Sequence, residues 1–172
     1  MGPTRKKAAI LFSVFLLMPI FAATWRQGNQ PATSLATPIN YRNAQYDFCV
    51  SLPEDWEGYS VIVGEWKGNL YNQWHGHDGY RAGPQITIRH PQWTSRNPHQ
   101  DIPIMVFTHA QWRLVQKEQL IVTAAPVGPG ELARNSKYVF SIPPRFNSGD
   151  LTGWKEVSEL MSTRFFHAPC KQ

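Results

Sequence analysis

Between Gly83 and Thr108 the chain reads as two strands joined by a long crossing, and this pair constrains the fold more than any other stretch. Gln85-Ile86-Thr87-Ile88-Arg89 alternates, with Ile86 and Ile88 on one face, as a half-buried strand should. Ile102-Pro103-Ile104-Met105-Val106-Phe107-Thr108 is apolar on both faces from Ile104 to Phe107, the pattern of a central strand covered on two sides. Between them Pro91, Trp93, Asn97, Pro98, His99 and Asp101 make a loop of about eleven residues, long for a hairpin and so a candidate functional loop.

The flanking sequence supplies further strands and two helices. Tyr46, Phe48, Val50 and Leu52 alternate with Asp47, Cys49 and Ser51, a strand with one buried face that Pro53 ends. Tyr59 to Val63 carries the β-branched residues of a second strand, running on toward Trp66. Gly68 to Gly83 is punctuated by Asn69, Asn72, Gly76, Asp78 and Gly79 and predicts a surface loop. Thr108 and Gln111 match a capping box, so a helix should open at His109 and fade by Gln119. Leu120–Thr123 predicts a short strand, Glu131–Arg134 a single helical turn ended by a left-handed Asn135, and Tyr138–Ile142 the last strand. From Thr152 onward, Trp154, Val157, Leu160 and Met161 share one helical face, with Trp154 expected to look into the core.

The start of the chain has the pattern of a targeting segment. Arg5, Lys6 and Lys7 precede an apolar run from Ala8 to Ala23, as in a secretory signal peptide over residues 1–23. At roughly sixteen residues the run falls short of the twenty or so that span a bilayer, which favours cleavage over a retained membrane anchor. Residues 24–40 are polar and proline-dotted, a disordered linker, and residues 41–172 form a single globular domain. The whole chain has 17 basic and 12 acidic residues. Without the three basic residues of the leader, 14 face 12, a net charge of +2 that gives no nucleic-acid footprint. In an exported chain the two cysteines, Cys49 and Cys170, predict one disulfide; two buried thiols, or Cys170 paired with another chain, are the alternatives.

The run Tyr46-Asp47-Phe48-Cys49-Val50-Ser51-Leu52-Pro53-Glu54-Asp55-Trp56 resembles the opening strand of PsbP-like domains, and the final helix with Ser162-Thr163-Arg164-Phe165 is similar to the closing helix of that fold. The middle of the chain, including Ile88-Arg89-His90-Pro91-Gln92-Trp93-Thr94 and Arg134-Asn135-Ser136-Lys137-Tyr138-Val139-Phe140, resembles small exported bacterial proteins without assigned activity. The resemblance implies an α+β fold, an antiparallel sheet with helices packed on it. It carries no functional residues with it, and a fold alone does not supply a function.

Candidate chemistry concentrates in the two loops. His75, His77, His90 and His99, with Asp78 and Asp101 nearby, hold imidazoles that zinc uses, but His75-x-His77 lacks the helical spacing of a zinc protease. No serine lies in a nucleophile elbow, and Gly128-Pro129-Gly130 has a proline where a phosphate loop needs an amide. No cofactor, catalytic or metal assignment follows from these patterns. Trp74, His77, Tyr80 and Trp93 are the candidate ligand-binding residues, because loop aromatics among polar neighbours stack on sugar rings or anchor a protein partner. The leading expectation is an exported non-enzymatic domain that binds a ligand or envelope partner through loops 68–83 and 91–101. The alternatives are a metal-assisted hydrolase using loop histidines and a passive structural accessory of an envelope complex. Contact with a membrane is expected only through an uncleaved leader.

Overall fold

A computed structural model describes residues 2, 38–71, 79–146 and 149–170, so nearly all of the segments expected to be leader and linker lie outside the described residues. The described elements belong to the compact unit Leu35–Gln172. In chain order they are β1 (Ile39–Asn43), β2 (Phe48–Leu52), a 3-10 turn (Glu54–Trp56), β3 (Ser60–Leu70), β4 (Tyr80–Arg89), β5 (Ile102–Thr108) and α1 (His109–Gln116). They continue with β6 (Leu120–Ile121), β7 (Gly130–Arg134), β8 (Tyr138–Ile142), α2 (Trp154–Met161) and β9 (Phe166–His167). The fold is α+β, with two antiparallel sheets ordered β1-β2-β9 and β6-β3-β4-β5-β8-β7.

Alternation along each strand sorts the core into two clusters, one on each face of the larger sheet. Ile86, Ile88, Ile102, Ile104, Val106 and Phe140 meet Phe48, Val50, Leu52 and Phe166 of the smaller sheet, with Trp56 and with Val157 and Leu160 of α2. Met105, Phe107, Trp66 and Val139 point the other way, onto Trp112 of α1 and Leu120. β5 supplies both clusters, which is why its sequence is apolar on both faces.

Several local expectations are corrected. β1 begins at Ile39, inside the segment read as linker, because its backbone pairs with β2 from Ile39↔Leu52 to Asn43↔Phe48. β3 and β4 run well into the segment read as a loop, and Gly83 and Pro84 lie within β4. Gly83 is there for Trp66: a Cβ on it would lie 2.6 Å from the indole that crosses it. The β4–β5 ladder stops at Gln85↔Met105, beside Pro84, which has no N–H to contribute; the Val106 carbonyl, next in register, accepts from Trp66 Nε1 at 2.8 Å. Glu131–Arg134 is part of strand β7, not a helical turn, since pairing with β8 around a bulge overrides the local preference. Asn135 acts through its side chain rather than a left-handed backbone: its Oδ1 accepts from the N–H groups of Lys137 and Tyr138. Trp154 is 36% exposed, with the Lys155 ammonium 5.7 Å from its ring centroid, so it does not enter the core. The capping box holds: Thr108 accepts from Gln111 N–H, and Gln111 Oε1 accepts from Thr108 N–H.

Candidate functional site

The 91–101 loop is tied across its base on both sides of the sheet. Arg89, the last residue of β4, donates from Nε to Asp101 Oδ1 at 3.1 Å and from Nη2 to Oδ2 at 2.8 Å. This two-pronged geometry is the strong form of an ion pair, and it holds the Arg89 guanidinium above its ordinary pKa. Trp93 lies across the same guanidinium, its ring centroid 3.8 Å from Cζ, and stays half-buried. Above this base Pro91, Gln92 and residues 94–98 are exposed.

On the opposite side the base is closed by His90 and His99. Both are buried, and their rings stack with centroids 3.8 Å apart and planes 11° from parallel. Trp56 meets the His90 ring edge-on at 4.8 Å, while its indole N–H donates to the Glu156 carboxylate in the first turn of α2. Gly153, with φ of +77°, starts α2 beneath His99; any Cβ there would overlap the imidazole. The Gln100 amide donates to the carbonyls of Phe146 and Asp101 at 2.7 and 2.9 Å, and its backbone N–H donates to Thr152 O at 2.8 Å. Four separate segments thus converge on one buried cluster.

One ring nitrogen of each histidine and one Glu156 oxygen lie within 4.8 Å of one another, the composition of a metal-binding set. The ring geometry does not fit a shared ion. A metal bonds imidazole in the ring plane at about 2.0–2.1 Å, and two stacked, nearly parallel rings have no common in-plane point at that range. Moreover, His90 Nδ1 already accepts from Gln92 N–H at 3.1 Å, which leaves the proton of the neutral ring on Nε2. His90 Nε2 and His99 Nδ1 are buried with no hydrogen-bond partner among the described residues.

Burial, and next the neighbouring His99, push the His90 pKa below its ordinary value; Asp55 opposes the shift. The titratable groups near the ring are His99, Asp55 and Glu156. A base whose folded pKa is depressed binds fewer protons when folded than when unfolded. Its stabilising contribution is complete above the unfolded value of about 6.5 and is lost as pH falls through the folded value. Thermal unfolding followed from pH 7.5 downward should show stability dropping below about pH 6.5. His90→Phe should flatten that part of the profile; parallel wild-type and variant curves would refute the role.

The structure places the four candidate ligand-binding residues unequally. Trp74 and His77, like His75 and Asp78, lie outside the described residues. Tyr80 is 46% exposed and opens β4, whereas Trp93 lies in the loop beyond Arg89 at the strand's other end, so the length of the strand separates them. At a rise of about 3.4 Å per residue they stand at opposite ends of the sheet. His90 and His99 come together, and Trp56 and Glu156 join them although neither drew attention as a partner of the histidines. No spacing could have revealed Glu156, because its only link to the cluster is the packing of α2. Compared with known protein families, curated proteins and solved structures, the chain matches none.

Proposed function

We propose that this chain is an exported, non-enzymatic binding domain whose contact surface is the 91–101 loop, with Trp93 as its anchor. The observation that carries the reading is the contrast between base and rim. The loop's base is locked by the Arg89–Asp101 pair, the stacked histidines and Gln100, while the residues around Trp93 are exposed. A loop held in one shape before contact loses little freedom on binding. An indole set beside a guanidinium offers an apolar face with a polar rim, which suits a sugar ring or a partner's side chain. The Cys49–Cys170 disulfide fits an oxidising compartment, and export is the reading it supports. The finer assignment of the α+β fold to a PsbP-like sandwich rests on the Tyr46–Trp56 run and the closing helix.

The test is co-sedimentation of the protein with isolated cell-wall glycan and, separately, with envelope vesicles carrying their membrane proteins. Retention should fall at least tenfold in Trp93→Ala, with a stability change of about 1 kcal/mol or less, as expected away from the core. Loss well above about 3 kcal/mol would make Trp93 a core residue instead. Retention on glycan identifies a saccharide ligand, and protease-sensitive retention on vesicles a protein partner. No retention on either, or retention indifferent to Trp93, overturns the proposal.

A further inference from the structure

The outer edge of β3 offers an interaction surface that is independent of the 91–101 loop. β3 is eleven residues long and pairs with β4 along ten of them without a register shift, but β6 covers its other edge only at Asn69 and Leu70. From Lys67 back to Ser60 no strand among the described residues occupies that edge. Unpaired edges are usually blunted by a proline, a charge or a bulge. Ser60-Val61-Ile62-Val63-Gly64 has none of these. Its three central side chains are apolar and open instead: Val61, Ile62 and Val63 are 37, 38 and 74% exposed. Val61 and Val63 are the cross-strand partners of buried Ile88 and Ile86, so they carry the core face of the sheet out to a rim that no strand among the described residues covers.

We propose that two copies of this chain join through this edge, antiparallel, about a two-fold axis at Ile62. In that register Ile62 faces its own copy, Val61 faces Val63, Ser60 faces Gly64, and Lys67 is directed toward Glu57 of the other copy. Valine meets valine on one face and isoleucine meets isoleucine on the other, the kind of cross-strand pairing that stabilises a ladder. The neighbouring registers are worse. Centring on Val61 sets Glu65 against Glu57, like against like, and centring on Val63 sets Glu65 against Val61. A self-complementary strand of this kind gives a closed isologous pair, in which the two six-stranded sheets continue into one.

Sedimentation equilibrium or light scattering across a concentration series, on protein recovered from cells expressing the full chain, should report a dimer. Val63→Lys, which places a charge on the most open edge position, should raise the dimer dissociation constant at least tenfold while leaving the melting profile of the isolated chain cooperative. In a second variant, Ile62→Cys should form an intermolecular disulfide under mild oxidation. Val61→Cys should not, because the two Val61 Cα atoms would stand beyond the roughly 7 Å limit for a bridge. A chain that stays monomeric at every concentration, a dimer indifferent to Val63→Lys, or cross-linking through Val61→Cys in place of Ile62→Cys overturns the proposal.

Discussion

Removing the Cys49–Cys170 bridge should cost this domain about 4–5 kcal/mol, from the unfolded-state freedom that a loop of this length regains in the chain-entropy model. The bonded cysteines are 121 residues apart in sequence, and their Cα atoms lie 5.1 Å apart, within the range a disulfide spans. The bridge ties β2 to the chain just after β9, where the ladder is only two pairs long, Cys49↔His167 and Val50↔Phe166. Set against a total stability of roughly 5–15 kcal/mol, the loss is large. Denaturant unfolding with and without reductant would measure it. Cys49→Ala and Cys170→Ala should each match the reduced protein, and the double variant should be no worse than either, because both remove one shared constraint. Two reactive thiols in untreated protein, or additive losses in the double variant, would contradict the pairing.

Trp56→Ala should destabilise the domain by about 3–5 kcal/mol, the range for truncating a buried aromatic. Trp56 has no exposed surface, and its ring packs in the cluster formed by both sheets and α2. Truncation also strips the Glu156 carboxylate of its indole donor and the His90 imidazole of its edge-on neighbour. Trp56→Phe keeps an aromatic ring but removes the N–H, so it should cost less, about 1–3 kcal/mol from the unmatched carboxylate. The graded pair separates packing from hydrogen bonding. Equal losses for the two substitutions in urea unfolding would show that the indole N–H, and not the ring volume, holds this corner together. A loss below about 1 kcal/mol for Trp56→Ala would mean that the cluster does not anchor α2.

Some of this architecture could be read directly from residue order, because it depends on neighbours in sequence. Alternation in Phe48–Leu52 and Gln85–Arg89 marks strands whose buried residues recur every second position, whereas Val139, Phe140 and Ser141 of β8 are buried in succession because both faces of that strand are covered. The double-sided apolar run of β5 announces a strand covered twice, and it does serve both core clusters. Thr108 and Gln111 set the start of α1 through bonds only three residues apart. The cysteine pair followed from their number and the compartment implied by the leader pattern. Other features depend on partners far away in the chain. Ile39–Asn43 offers only the short alternation of Ile39 and Tyr41, too little to mark a strand alone, and becomes one because β2 offers it backbone groups to pair with. Glu131–Arg134 extends because β8 lies alongside, and Trp154 faces outward because α2 is only eight residues long and buries Val157 and Leu160 instead. The candidate site shows the division most sharply. Trp93 and the histidines could be singled out as residues, but nothing in their spacing brings Trp56, His90, His99 and Glu156 together. Only the docking of α2 beside the loop base does so, since proximity across separate segments arises from packing, which no local pattern encodes.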